Sequence, residues 1–225
     1  MIAAPAARVV VVDDDESVRK SLARLIKTAG YDVEALASAR DFLARRPEEA
    51  PAACLVLDVR MPGLTGPELQ ELITAGGRRP AIVFITGFAD VRTTVSAMKH
   101  GAVDFLTKPV HAQELLGAIA RGVAQFSQVQ REEADAGELA SRIKTLTPRE
   151  AEIFALVVVG MLNKQIAGQL GIGEKTVKVH RAQVMRKMSA GSLAELVQLA
   201  SQAGVIAARS PSLDHGPMAP SARSH

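Results

Sequence analysis

Short runs of β-branched and aliphatic residues alternate with helical periodicities through the first half of the chain. Residues 7–12 (ARVVVV) predict a strand. Residues 17–30 predict a helix whose Val18, Leu22, Leu25 and Ile26 share one face before Gly30 stops it. The alternation continues with strands predicted at 31–36, 54–57, 81–85 and 102–106. Helices are predicted at 39–46 and 67–73, along a face of Val91, Val95 and Met98, and along Leu115, Leu116, Ile119 and Val123. Strands and helices in strict alternation describe a parallel sheet covered on both faces. In such a sheet the functional side chains gather at the carboxyl ends of the strands.

Residues 125–144 (QFSQVQREEADAGELASRIK) are polar and weakly periodic, which fits a linker, helical where the preceding helix extends into it. From Thr147 the periodicity is purely helical, with helices predicted at about 148–159, 163–170, 174–188 and 193–203. Thr147, Pro148 and Glu150 form a near-complete capping box, and Ser192 with Glu195 a second one. The final stretch, RSPSLDHGPMAPSARSH, lacks apolar anchors and predicts disorder. The expected organisation is a domain over 1–124, a linker over 125–144, a domain over 145–208 and a tail over 209–225.

Composition narrows the class. At 225 residues, 48% hydrophobic and 23% charged, the chain has material for one large core or two small ones. No apolar run approaches the ~18 residues of a membrane span. The amino end has one basic residue, Arg8, before a short apolar run that stops at Asp13, which argues against a secretory signal. The expectation is a soluble cytoplasmic protein without a membrane partner. The single cysteine, Cys54, excludes an intramolecular disulfide and a cysteine-based zinc cluster, and its setting in AACLVL suits packing. The net charge of +3 is unevenly spread: residues 1–124 hold fifteen basic and fifteen acidic residues, whereas residues 145–210 hold eight basic and four acidic. That local +4 makes nucleic acid the natural partner of the second domain.

Each strand end of the first domain carries a polar group: Asp13, Asp14 and Asp15 after the first strand, Asp58 after the third, Thr86 after the fourth and Lys108 after the fifth. Taken singly, each reads as a solvated loop end. Together, converging carboxylates repel one another, and a hard divalent cation bound through oxygen removes that penalty. With an ammonium and a hydroxyl beside them, the set suits a phosphoryl group attacked by one carboxylate.

The pieces VVDDDE (11–16), LDVRMPGLTG (57–66), FITG (84–87) and DFLTKP (104–109) resemble the receiver domain of bacterial two-component response regulators. The resemblance implies a flavodoxin-like (βα)5 parallel sheet with Asp58 as phosphoacceptor. It implies magnesium held by Asp13, Asp14, Asp58 and the backbone carbonyl of Arg60, with Thr86 and Lys108 reading the phosphoryl group. It also implies a switch role for Phe105, which otherwise reads as a core aromatic, and a cis Lys108–Pro109 bond. Asp15 reads as solvated or helix-starting.

In the second domain, residues 162–188 read as a short helix, a glycine-containing turn and a longer basic helix. Ile166, Ala167 and Leu170 mark the apolar side of the first; Val177, Val184 and Met188 mark that of the second. Lys175, Lys178, Arg181 and Ala182 lie opposite, and His180 reads as packed or phosphate-facing. A plain helical bundle shares this amphipathic pattern, but a short helix–turn–helix with exposed cations is also what major-groove docking requires. LTPRE (146–150), NKQIAGQLGI (163–172) and KTVKVHRAQVMRKM (175–188) resemble the LuxR-type four-helix DNA-binding domain. The resemblance implies backbone contacts from Lys164, Thr176 and Lys178, with Val179 and Ala182 nearest the bases and Lys175 and Arg181 adding charge. Gly173 replaces the usual serine or threonine cap, and Ala182 offers only a methyl group.

The two resemblances combine into a phosphorylation-dependent, DNA-binding transcriptional regulator of the FixJ-type branch, also on TGFADV (86–91) and AMKHGAVDFLTKP (97–109). They imply a sensor histidine kinase and double-stranded operator DNA as partners, and a homodimer when phosphorylated. Leu193, Leu196, Val197 and Leu199 suit either a subunit contact or a monomer core. Two other readings stay open: a partner-binding module that no longer reads DNA, and a magnesium-dependent phosphatase. The latter needs a positioned acid or base, and none is evident near Asp58, so the chain is not read as an enzyme.

Overall fold

A computed structural model describes residues 6–45, 51–77, 80–87 and 91–205. The chain divides into two compact units between Glu132 and Glu133. The expected tail at 209–225 and residues 88–90 of the TGFADV motif lie outside the described residues.

In the amino-terminal unit five parallel strands, β1 (Arg8–Val12), β2 (Asp32–Leu36), β3 (Cys54–Asp58), β4 (Ala81–Thr86) and β5 (Asp104–Thr107), lie in the order β2-β1-β3-β4-β5. The helices are α1 (Glu16–Thr28), α2 (Ala39–Ala44), α3 (Gly66–Ala75), α4 (Val91–Lys99) and α5 (Ala112–Lys144). Alternation along each strand separates two cores. Val10, Val12, Leu55, Leu57 and Phe84 pack with Phe42 of α2 and Leu69 and Ile73 of α3. Val9, Val11, Val56, Val83 and Ile85 pack with Leu22 and Ile26 of α1 and Leu115 and Ile119 of α5. Central strands apolar on both faces can only persist inside such a sandwich.

α4 forms along the face that its periodicity predicts. Its apolar face of Val91, Val95 and Met98 is turned outward, 77%, 46% and 45% exposed, and Ala97 is its buried residue. A periodic face shows that residues share a side, not which side the sheet takes; the smaller Ala97 lets the helix approach closely. α5 runs unbroken through residues 125–144, so the polar stretch is helical.

The carboxyl-terminal unit contains α6 (Pro148–Val158), α7 (Asn163–Leu170), α8 (Glu174–Lys187) and α9 (Leu193–Gln202) around Ile153, Phe154, Ile166, Val177, Val184, Met188 and Leu196. The Thr147 box is complete: Thr147 Oγ1 accepts from Glu150 N, and Glu150 accepts from Thr147 N at 2.8 Å. The second box is not. Ser192 caps Glu195 N, but the Glu195 carboxylate accepts from Gly191 N, one residue upstream. Within this unit Leu196 is buried, Val197 and Leu199 pack against the core, and Leu193 remains exposed.

Candidate functional site

The sheet order places β1 between β2 and β3. The crossovers from β1 and β3 leave in opposite directions there, opening a crevice at the carboxyl ends of those strands. Asp13 directly follows β1 and is fully buried; Asp58 ends β3 and is 6% exposed. Exposed Asp14 completes a set whose carboxylate oxygens lie within 4.8 Å of one another. Lys108 follows β5, and its Nζ donates to Asp13 Oδ2 at 2.8 Å and Asp58 Oδ2 at 3.0 Å. Its own backbone N–H is anchored on Thr86 O at 2.7 Å. The Lys108–Pro109 bond is cis.

The electrostatics follow from this crowding. Burial pushes the Asp58 carboxyl above its ordinary value and the Asp13 charge adds to that, against the pull of Lys108. For Lys108 burial works against the ammonium, but the hydrogen bonds to Asp13 and Asp58 prevail and hold it above its usual value. One ammonium among three carboxylates leaves a net negative, all-oxygen donor set, which suits a hard divalent cation. Asp15 stands apart: its side chain accepts from the N–H groups of Ser17 and Val18 and caps α1. It is the helix starter rather than a member of the oxygen cluster.

Thr86 is fully buried at the end of β4. Phe105 is half-buried on neighbouring β5, its ring centroid 6.0 Å from that of Phe84 in a tilted pair. Arg60 N lies 3.4 Å from Asp58 Oδ1 just past β3.

In the second unit Gly171 ends α7 in the left-handed region (φ 63°), and Gly173 precedes α8 without a side-chain cap. Lys164, Lys175, Thr176, Lys178, Val179 and Ala182 are all exposed, Val179 at 54%. Arg181 does not share their exposure. It is half-buried, and its Nη1 donates to Asn163 Oδ1 at 3.1 Å, joining α8 to the start of α7. Positions 178 and 181 are only about 60° apart around the helix, so it is the bond to Asn163 that draws Arg181 towards α7. His180 is half-buried.

Three features escaped the sequence. A Cβ on Gly66 would stand 2.4 Å from the Asp58 carbonyl oxygen, so only glycine lets α3 start this close to the phosphoacceptor candidate. Gln70, 3% exposed, donates from Nε2 to His100 O at 3.2 Å. Glu150, 5% exposed, pairs with Lys187 Nζ at 2.6 Å. The glycine's place in LDVRMPGLTG was the available signal for the first; the other two depend on contacts distant in sequence.

Comparison with known proteins agrees with this geometry. The response regulator receiver domain model matches residues 9–120, and that of bacterial regulatory proteins of the luxR family matches residues 144–200. Nodulation protein W of Bradyrhizobium diazoefficiens is 43% identical over 199 residues, covering 88% of this chain and 87% of that protein. The transcriptional regulatory protein FixJ of Azorhizobium caulinodans is 43% identical over 196 residues, covering 87% and 92%. Among solved structures, the response regulator StyR superposes with a TM-score of 0.80 at 46% identity, covering 88% of this chain and 99% of that one. Full-length FixJ from B. japonicum gives 0.54 at 39% identity, covering 90% and 100%. The chain belongs to the two-component response regulators that join a receiver domain to a luxR-family DNA-binding domain, the architecture of a phosphorylation-regulated transcription factor. Among the described residues no helix is long and apolar enough to cross a membrane.

Proposed function

We propose that Asp58 is the phosphoacceptor of this response regulator and that its phosphorylation by a sensor histidine kinase controls operator binding by α8. The observation that carries the reading is the position of Lys108, bonded at once to Asp13 and Asp58 at the two strand ends flanking the crevice. An Asp58 oxygen bonds to phosphorus as the phosphorus–nitrogen bond to the kinase histidine breaks, and the leaving imidazole takes up a proton. Asp13, Asp14, Asp58 and the Arg60 carbonyl would hold magnesium, which when bound supplies positive charge against the carboxylates and the phosphoryl oxygens. Lys108 stays beside the transferred group as a second cation. Thr86 and Phe105, on adjacent strands, register the new charge.

On the output side, the exposed Lys175, Thr176 and Lys178, with Lys164 of α7, meet backbone phosphates, while Val179 and Ala182 face base edges. Arg181 acts from within the unit, through Asn163. Phosphorylated subunits pair on operator half-sites about one helical turn apart.

The test is phosphorylation by acetyl phosphate followed by mass spectrometry. Label on Asp58, dependent on magnesium and lost in Asp58→Asn, is the expected result. Label on another residue, or incorporation indifferent to magnesium, defeats the reading.

A further inference from the structure

The amino end of a helix carries the positive end of its dipole, which favours carboxylates and disfavours cations. The start of α1 follows that rule with Asp15 as cap and Glu16 in the first turn, and breaks it with Arg19. The loop before the helix gives the reason. Arg19 Nη1 reaches back over the helix start and donates to the carbonyl oxygens of Asp13 at 2.7 Å and Asp14 at 3.3 Å. The side chain is half-buried in doing so. A terminal guanidinium nitrogen carries two hydrogens, so one atom can hold two successive carbonyls.

The two aspartates are fixed in different ways. Asp13 is held on several sides: its N–H donates to Leu36 O at 3.2 Å. Its carboxylate accepts from Asp15 N at 2.9 Å and from Lys108 Nζ at 2.8 Å. Asp14 is exposed, yet its carboxylate lies within 4.8 Å of those of Asp13 and Asp58. The carbonyls that Arg19 grips belong to the peptide planes on either side of the Asp14 Cα. Each plane is rigid, so holding both fixes φ and ψ of Asp14, and with them the direction in which its side chain leaves the chain.

We propose that Arg19 is a positioning residue for the divalent cation: by clamping the two peptide planes around Asp14 it aims that exposed carboxylate into the crevice. The proposal rests on the magnesium site read above. Charge alone would act in the opposite sense, because a guanidinium beside the site repels a divalent ion. Removal of Arg19 therefore weakens magnesium binding if it is a clamp and tightens it if it is merely a nearby charge.

The experiment titrates the full-length protein with magnesium chloride, without phosphodonor, and reads the dissociation constant from amide NMR shifts. The magnesium dependence of phosphorylation by acetyl phosphate is measured alongside, for wild type, Arg19→Ala, Arg19→Lys and Lys20→Ala. Groups that orient metal ligands ordinarily contribute about 10–100-fold in affinity, and a grip on backbone rather than on the ligating oxygen puts Arg19→Ala near the low end, about tenfold weaker. Half-maximal phosphorylation should need correspondingly more magnesium, while the rate at saturating magnesium returns to that of the wild type. Arg19→Lys keeps the charge but not the planar guanidinium and should show a smaller loss. Lys20→Ala removes the same charge from the neighbouring exposed residue, which pairs with Glu16, and should not weaken binding. Unchanged or tightened magnesium binding in Arg19→Ala overturns the proposal, as does an equal loss in Lys20→Ala. Thermal melting reports whether Arg19→Ala is folded at the assay temperature; if it is not, Arg19→Lys decides, and wild-type affinity there overturns the proposal. A wild type that binds no magnesium indicts the site itself and is recognised before a variant is compared.

Discussion

Glu150 and Lys187 lie 37 residues apart in the chain, yet their side chains meet at 2.6 Å with the carboxylate almost completely buried. The same carboxylate closes the amino end of α6 by accepting from Thr147 N. One group therefore serves a helix cap and an ion pair to the last turn of the recognition helix.

The pairing makes the DNA-binding unit acid-sensitive. The hydrogen bond from Lys187 first, and that from Thr147 N next, hold the Glu150 carboxyl down at about 2, against an ordinary 4.5. A carboxyl depressed by folding contributes stability that is complete above the ordinary value and is lost as pH falls towards the folded one. The melting temperature of this unit should drop between pH 4.5 and 2. Glu150→Gln should melt lower at pH 7 and show a shallower acid slope. An unchanged slope would mean that Glu150 is not the titrating group.

Gly66→Ala should destabilise the receiver and hinder phosphorylation together. Its new methyl would sit 2.4 Å from the Asp58 carbonyl oxygen and 3.0 Å from the Phe84 ring, so α3 must move away. Overpacking of this kind costs about 1–3 kcal/mol. Gly168→Ala, inside α7 with open space around it, should instead stabilise by about 0.5–1 kcal/mol. Denaturant unfolding of the two variants checks the contrast.

Lys178→Glu and Arg181→Ala should separate recognition from support. Lys178 is exposed, so reversing its charge should remove operator binding and leave the stability within about 0.5 kcal/mol, as for surface changes generally. Arg181 is bonded to Asn163, so its loss should lower the melting temperature as well as the affinity. Equal melting curves for both variants would show that the α7–α8 bond is not needed for stability.

Cys54 should be inert in the native protein. Burial pushes its thiol up to about 12, leaving almost no thiolate at neutral pH. An aromatic disulfide reagent at pH 8 should react only after unfolding, at the unfolding rate. Rapid stoichiometric reaction of folded protein would contradict the packing role.

The sequence by itself determined the alternation of β-strand and helix, the parallel sheet and the helical second unit. These rest on local periodicity and on caps such as Thr147 and Glu150, which act within four residues. It also marked Asp13, Asp14, Asp58 and Lys108, because they stand as polar groups just at or beyond the carboxyl ends of apolar strands. The tertiary structure alone decided which faces were used. Val91, Val95 and Met98 are periodic but point outward, since helical phase does not say where the sheet lies. Arg181 looks like a neighbour of Lys178 in sequence but turns to Asn163 in space. The meetings of Lys108 with Asp13 and Asp58, Glu150 with Lys187, and Arg142 with Met188 join residues 95, 50, 37 and 46 positions apart. No local pattern encodes such pairs: chain closure brings them together, and packing then fixes the distances.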